Sequence, residues 1–586
     1  VTIVSLAVIS TISRFANVEP FIYKSTPSTF TLPSFWTSVF GAPDESQSLT
    51  IDITQFIQDS LINYLQKDTL ADIRSQPQSF YFDYGNQILY VHVGHKSSPE
   101  SSNFQLGKSR GLCDKKAVYI DNIFFEPLVK SIPSLAQQQD IFNYDALAFI
   151  NGTIEAMNES GIFDDVLTSP IFGNDVQIYY LEDHSNIDDY SFEDLIPIAG
   201  LYVENYSLSL KSFKIKVQDK RKALNVNIPI DTFTAVAYPN IVDDLAGTPI
   251  PLDYGTIRSQ KAICTNGKLT SGVVTYRQAL TLTSLGTVQV KINDVWTTKT
   301  PTVSSPSTGE FTLAAADGRN GTTPYECRVL GSVGIANAVA SDIIKDLNYR
   351  ALGIAFDASN YNLAEWAAES ASLSSIGIAF EKTVTLFNAI KEVQSGANYG
   401  FRYEISPTGK RTIRIDNWNR EVSRHIPKEH ILDVDELETE TLGDLLAAEI
   451  VIKYAKDYKE NSYLTKSGKS QYDYVKDTYR QTPSVEIETS LTNATDAAAR
   501  ALYEATRYKD IVRSVSATIM GREFLDLRIY EVVTIELTPG FVNLDTSKIS
   551  GTREWLGVWK VQIVSIDPDS MNLQNTVSMI LIEKVI

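Results

Sequence analysis

The stretch Gly247-Thr-Pro-Ile-Pro-Leu-Asp-Tyr-Gly255 decides how this chain is read, because it fixes backbone shape and offers little that reacts. Pro249 and Pro251 lock φ and push the residues before them toward extended conformations. Gly247 and Gly255 admit the positive φ or close backbone approach that a side chain resists. The product is a stiff, kinked connector. Alone, it reads as a surface loop between two strands, so its meaning comes from what flanks it.

Upstream, Leu208 and Leu210, then Phe213, Ile215 and Val217, alternate with Lys211, Lys214 and Lys216, and the change of parity at Ser212 predicts a bulge in half-exposed sheet. Downstream, residues 273–282, residues 288–295 and Gly309-Glu-Phe-Thr-Leu-Ala314 continue as strands between short Gly, Ser and Pro turns. So many short strands must hide their edges, and a β-barrel over 131–330 is the expected closure.

At residue 331 the period changes. Residues 335–347, 363–370 and 386–393 carry helical spacing around the strand-like Ile376-Gly-Ile-Ala-Phe380. A hairpin follows, with arms Tyr399-Gly-Phe-Arg-Tyr-Glu-Ile405 and Arg411-Thr-Ile-Arg-Ile415, making 331–425 a small α+β unit. From 426 to 586 the pattern returns to strand, which predicts a second barrel. Its strands are Ile450-Val-Ile-Lys-Tyr454 and residues 512–519, 530–537, 559–566 and 577–582. One Ala-rich helix interrupts them at 494–508, capped by Asn493 or Thr495. Pro539-Gly540 and Asp567-Pro-Asp-Ser570 supply tight turns.

Residues 1–130 read as an N-terminal α/β elaboration. Val1-Thr-Ile-Val-Ser-Leu-Ala-Val-Ile-Ser10 lacks the basic flank of a signal peptide and suits a strand. Ile53, Phe56, Ile57, Leu61, Tyr64 and Leu65 share a helical face, residues 80–93 form a hairpin about Gly85-Asn86, and residues 97–110 are polar and loop-like. The expected fold is therefore α+β and strand-dominated, with two β-barrel domains (131–330 and 426–586) separated by an α+β domain (331–425).

Composition sets limits on function. At 586 residues with 43% apolar content, several folded cores are expected. A net charge of −19 argues against duplex binding, which relies on cations neutralising phosphates. Cys113, Cys264 and Cys327 are too far apart in sequence for a disulfide framework or a zinc motif, and are expected reduced and buried. No apolar run reaches the ~18 residues that cross a bilayer, so a soluble protein is expected.

The search for chemistry assigns no catalytic, cofactor-binding or metal-binding residues. Gly468-Lys469-Ser470 ends like a phosphate-binding loop, yet Tyr463 stands where its first glycine belongs and the surroundings read as polar loop. His425 and His430 are separated by Pro427 and read as surface residues, while His92 and His95 point to opposite faces of a strand. The run Asp433-Val-Asp-Glu-Leu-Glu-Thr-Glu440 begins like a calcium loop but places Leu437 and Glu438 where a ligand and a glycine are needed, and reads as a solvated linker. Residues 456–480 interleave lysines with Tyr458, Tyr463, Tyr472, Tyr474 and Tyr479, and read as a long hairpin loop facing solvent or a neighbouring subunit. The named structural residues are those of the turn: Gly247, Pro249, Pro251, Tyr254 and Gly255.

Taken in order, Ser131-Ile-Pro-Ser134, Ala156-Met-Asn-Glu-Ser-Gly-Ile-Phe-Asp164, Gly173-Asn-Asp-Val-Gln-Ile178, Ile198-Ala-Gly200 with its alternating strand to Val217 and Asp219, Leu224-Asn-Val-Asn-Ile-Pro229 and the 247–255 turn resemble the first barrel of phage tail-tip and baseplate hub proteins. Residues 331–425 resemble the insertion between the two hub barrels, and residues 495–508 with the closing strands resemble the second. One departure stands out: the family's closing barrel often has Gly-Asp before its central strand, where this chain reads Arg528-Ile-Tyr-Glu-Val532.

The resemblance implies a structural protein, not an enzyme, that forms a homotrimer. Two barrels per chain would make a pseudo-sixfold ring joining a hexameric tail tube to a threefold tip. Implied partners are distal tail and tail-tube proteins above and tip, spike or fibre proteins below, with DNA only passing through the lumen and not specifically bound. The implied place is the virion tail, assembled in the bacterial cytoplasm, with no cofactor and no membrane insertion. The alternatives are a tail-associated cell-wall hydrolase and a receptor-binding adhesin.

Overall fold

The computed structural model describes residues 195–336, 338–406, 408–439, 446–537, 557–569 and 574–585, and before these the strands named below with some of their neighbours. The described chain is strand-dominated α+β, and several sheets curl as half-barrels.

The first sheet runs Val129–Ser131, Asn151–Met157, Ser212–Asp219, Ile196–Leu208, Asp175–Tyr180, Thr2–Thr11, Gln105–Cys113, Ile123–Glu126, Val118–Ile120, Asp189–Tyr190. Thr2–Thr11 is a strand as expected, held between Gln105–Cys113 and Asp175–Tyr180. Alternation buries Ile154, Val176, Ile178, Leu201, Val203, Phe213, Ile215 and Val217 on one face. The lysines opposite, Lys214 and Lys216, meet Glu155 and Glu204 across the strands.

A second sheet is built by residues 256–333. Its order is Val295–Thr298, Thr287–Ile292, Cys327–Val333, Thr256–Cys264, Val274–Arg277, Glu310–Leu313, Val303–Ser305, over its own core of Val274, Tyr276, Val288, Val290, Phe311, Leu313 and Val329. Asn293 and Asp294 both take positive φ, 50° and 63°, and split the run read at 288–295 into a hairpin. Glu449–Asp457 joins this sheet through Ser259↔Asp457, bringing Ser462–Gly468 and Ser484–Glu488 with it.

Helices α1 (Ala340–Leu352), α2 (Leu363–Ser370) and α3 (Leu386–Gly396) pack with the hairpin Phe401–Ile405/Arg411–Ile415. Ile343, Leu347, Trp366, Ile390, Phe401 and Ile413 share one core with Ala497, Ala501 and Ala505 from α5 (Ala494–Arg507), which the Asn493 side chain caps through the Asp496 amide. The closing sheet runs His425–Ile426, Val532–Leu537, Gly557–Asp569, Gln574–Lys584, Arg513–Met520, Ile431–Thr439, over Val515, Ala517, Val533, Ile535, Val561, Ile563, Val577 and Met579. Gln137–Gln138 pairs with Ile566 and Ser565, so a segment from the first β region borders the last.

Several expectations are corrected. The helix read at 53–65 is replaced by short strands, Phe56–Asp59, Ile62–Asn63 and Leu65–Gln66, because Gln105–Cys113 offers Phe56–Gln58 a ladder that outweighs a short helix's own bonds. That same strand begins inside the stretch read as a 97–110 loop; residues 97–104 lie outside the described residues. The parity change at Ser212 is a hairpin turn and not a bulge: Ser209 N donates to Ser212 O (2.8 Å), the Ser209 hydroxyl accepts from Ser212 N (3.0 Å), and Leu210 stands 89% exposed at the tip. The acidic run at 433–440 is strand through Thr439, paired with Arg513–Met520, with Asp433 on the exposed side. Residues 456–480 are a strand followed by α4 (Tyr472–Tyr479), whose Tyr474 and Tyr479 hydroxyls both bond Asp510. Asp567-Pro568-Asp569 continues Gly557–Asp569, with Pro568 opposite Asn575; Ser570 and Pro539-Gly540 lie outside the described residues. The hairpin at 80–93 is present, paired from Ser79↔His92 to Asp83↔Ile88.

Candidate functional site at the junction around residues 247–255

The stretch that opened the sequence reading ties the 256–333 sheet to the helical unit. Its first half lies outside that seam: Gly247 has φ +83° with open space around it and donates to Phe233 O (2.7 Å), and Pro249 bridges Thr232. Pro251 O accepts from Leu280 N (2.7 Å), after which Leu252–Tyr254 pairs antiparallel with Ile378–Phe380. Gly255 has φ +64°, and a Cβ there would sit 2.1 Å from Ile376 O and 2.8 Å from Ala338 Cβ. Gly377 returns the contact, since its own Cβ would lie 2.1 Å from Thr256 O. Both chains need a missing side chain where they cross.

Tyr254 is buried, and its hydroxyl donates to Asp346 Oδ2 (2.6 Å), which also takes the Arg350 Nε proton (2.6 Å). Burial first, then the Asp346 charge, pushes the Tyr254 phenol well above its ordinary range. The structure thus brings Pro251, Tyr254 and Gly255 into the seam and leaves Gly247 and Pro249 beside the small core of Phe233, Ile241 and Ile250.

The sequence reading passed over the residue between them. Asp253 is 1% exposed. Its Oδ1 accepts from Gln260 Nε2 (3.1 Å) and its Oδ2 lies 3.5 Å from Gln278 Nε2, which also reaches Gln260 Oε1 (3.0 Å) and Ser332 Oγ. Burial pushes the Asp253 carboxyl up to about 8; the Gln260 hydrogen bond opposes this and the nearby Glu381 charge adds to it. Behind it, the Tyr458 hydroxyl accepts from Ala379 N (3.0 Å). One signal was available: an acid flanked by apolar residues in a strand that the turn drives inward.

A second seam joins the helical unit to the closing sheet, and it is ionic. Glu365 on α2 takes Arg414 Nη2 (2.8 Å) and Arg528 Nη1 (2.9 and 3.1 Å). Burial alone would raise the Glu365 carboxyl, but Arg528 and Arg414 together hold it below its ordinary value. Glu369 receives Arg420 through both oxygens (2.6 and 2.8 Å) and also Ile415 N (2.8 Å). Arg424 reaches Glu531 (2.9 Å) and Asp526 (2.7 Å). The turn Arg528-Ile-Tyr-Glu531 is built here: Glu531 Oε2 accepts from Arg528 N (3.0 Å) while Tyr530 takes φ +65°. Beside it, a cleft of about 390 Å³ is bounded by residues 195–200, Arg221, Arg402, Glu404, residues 525–529 and Pro568, drawing on all three regions. Burial pulls the Arg402 guanidinium down to about 10, opposed by Glu404 at 2.8 Å.

Three comparisons bear on this arrangement. No family model matches the sequence, and no curated protein matches it. Among solved structures, a tail protein from Neisseria meningitidis MC58 aligns at 8% identity over 77% of this chain and 97% of its own, with a TM-score of 0.34. The 43 kDa tail protein of prophage MuSo2 from Shewanella oneidensis aligns at 11% identity over 79% and 96%, also with a TM-score of 0.34. A chain of the virion of a native gene transfer agent aligns at 12% identity over 57% and 85%, with a TM-score of 0.33. The chain is similar to phage tail proteins.

The other sequence candidates fall outside the junction. His425 Nδ1 meets Thr534 Oγ1 (2.9 Å) and His430 Nδ1 meets Met520 O (2.8 Å); His425 is exposed and His430 half-buried. His95 lies outside the described residues. A strand does precede Gly468-Lys469-Ser470, contrary to the loop expected there. Lys469 pairs with Glu449 (3.3 Å), and a Cβ on Gly468 would meet Ala501 O at 2.8 Å, so that glycine serves packing against α5. No disulfide joins the three cysteines; Cys113 and Cys327 are buried and Cys264 is half-buried. Among the described residues no three of His, Cys, Asp and Glu are grouped as metal ligands, and no helix is long and apolar enough to cross a membrane.

Proposed function

We propose that this chain is a structural hub subunit of the tail tip or baseplate of a phage or phage-like particle. Three copies form a ring in which two β units per chain give a pseudo-sixfold face toward a hexameric tail tube and a threefold face toward the tip. The observation that carries this reading is the ordered set of hub-like segments from Ser131 to Gly255, followed by a helical unit and then a second curled β unit with a separate apolar core. Three chains with two such units supply six, the number a sixfold tube requires.

The division we propose keeps 1–130 as an N-terminal elaboration, 131–330 and 426–586 as the barrel-bearing regions and 331–425 as the insertion. Residues 449–508 belong functionally with the insertion, because their helix α5 shares its core. The turn residues Gly247, Pro249, Pro251, Tyr254 and Gly255 act as a shaping element. The role is architectural and non-catalytic, with tail-tube proteins above, tip or spike proteins below, and an acidic lumen through which DNA slides without sticking.

Native mass measurement with negative-stain imaging of the purified full chain tests this. A ring-shaped trimer is the expected result, and a monodisperse monomer at high concentration, also in the presence of tail-tube protein, overturns it. Clearing of peptidoglycan in a zymogram would favour the hydrolase reading instead.

A further inference from the structure

The buried carboxyl at the junction faces amide donors that are shared with other acceptors, and among the described residues no cation pairs with it. Gln278 Nε2 has two hydrogens and three oxygens within reach: Gln260 Oε1, Ser332 Oγ and Asp253 Oδ2, the last being the longest at 3.5 Å. Gln260 is shared as well, because its amide serves Asp253 Oδ1 and also acts to lower the neighbouring Glu381 carboxyl. Meanwhile Gln278 Oε1 is buried without a donor. An ionised Asp253 therefore competes for shared donors, beside a second acid, at 1% exposure.

We propose that Asp253 is a proton latch: protonated, it closes the seam between Leu252–Tyr254 and Ile378–Phe380, and ionised, it loosens that seam. The groups that face it come from every element packed there. The 256–264 strand brings Gln260, the 327–333 strand Ser332, and the segment after the 274–277 strand Gln278. Glu381 follows the opposite strand, with Lys456, Lys382 and Lys261 acting on it, and Tyr458 lies close enough to feel the Asp253 charge. Burial raises the Glu381 carboxyl too, but Gln260 and then the three lysines oppose that rise, which leaves Asp253, the more deeply buried acid, as the group that takes the proton.

Burial raises Asp253 from 3.8 to about 8 in the closed seam, while an opened seam returns it to its ordinary value. The closed state then holds more protons than the open one between these limits. Seam opening becomes more favourable as pH rises toward 8, by up to about tenfold per pH unit, and levels off above. The inference does not depend on the hub assignment.

Hydrogen exchange of the full chain from pH 5.5 to 9, with each rate divided by the intrinsic chemical rate, reads this directly. Amides of Ile378–Phe380 are expected to lose protection by at least about tenfold between pH 6 and 8, while those of the 577–581 strand segment do not. Asp253→Asn should abolish the pH dependence at Ile378–Phe380. Should that variant fail to fold, Glu381→Gln, which removes a charge that helps raise Asp253, should end the loss of protection at lower pH and make it smaller. A flat parent profile, an equal slope in Asp253→Asn, or a parallel loss in the 577–581 control overturns the latch.

Discussion

The helical unit is fastened on two sides by opposite means. Toward the 256–333 sheet it uses neutral amides, one buried acid and two glycines whose backbones cross with no room for a methyl group. Toward the closing sheet it uses guanidinium–carboxylate pairs that keep part of their surface in water, such as Arg528 with Glu365 at 40% and 17% side-chain exposure. The first seam gains specificity from close backbone approach, which salt does not screen. The second is electrostatic, tolerant of small displacements and weakened by screening.

Four experiments break or sharpen this contrast. Gly255→Ala should have the largest effect, since it adds a methyl at 2.1 Å from Ile376 O and strains a φ of +64°. A loss above about 3 kcal/mol, or failure to fold, is expected in thermal or urea unfolding. Asp253→Asn should act in the other direction. Because its folded value is raised, the acid destabilises increasingly as pH climbs from about 4 to about 8, so the variant should be more stable than the parent by on the order of 2 kcal/mol at pH 8 and the gain should vanish near pH 4.

Glu365→Gln tests the ionic seam. The parent carboxyl is depressed in the folded state, so its stabilisation is present above the unfolded value near 4.3 and lost as pH falls through the folded one. At pH 7 the substitution should cost roughly 1–2 kcal/mol, shrinking in 1 M salt, whereas the effect of Gly255→Ala should not change with salt. Gly247→Ala is the smallest, about 1 kcal/mol, because only its φ of +83° resists and nothing lies within 4 Å. Equal losses at Gly247 and Gly255 in differential scanning calorimetry would remove the claim that close approach, and not turn conformation, holds the first seam.

Much of the fold was legible because it is written in local period. The α2 helix at Leu363–Ser370, the 401–415 hairpin, the capped α5 helix and the alternating Phe213, Ile215 and Val217 all follow from spacing that a single element must satisfy by itself. The misreadings fall where a partner from far along the chain supplies the missing bonds. Phe56–Asp59 becomes strand because residue 107 lies beside it, and Ile431–Thr439 becomes strand because Arg513–Met520 does. At the junction, two prolines and two glycines marked a stiff turn, but only the apolar flanks of Asp253 hinted at its buried acid.

The sequence by itself determined that this is a strand-rich α+β protein with a rigid turn at 247–255, because proline and glycine restrict φ wherever they stand and apolar periodicity selects the face that is buried. Tertiary structure alone decided what the turn does. Gly255 matters because Ile376 passes 121 residues later, the Asp253 carboxyl is pushed up because burial and the Glu381 charge outweigh the Gln260 and Gln278 hydrogen bonds, and Arg528 is paired because Glu365 waits across the seam. These are contacts between segments remote in sequence, where desolvation and charge depend on what has been brought together.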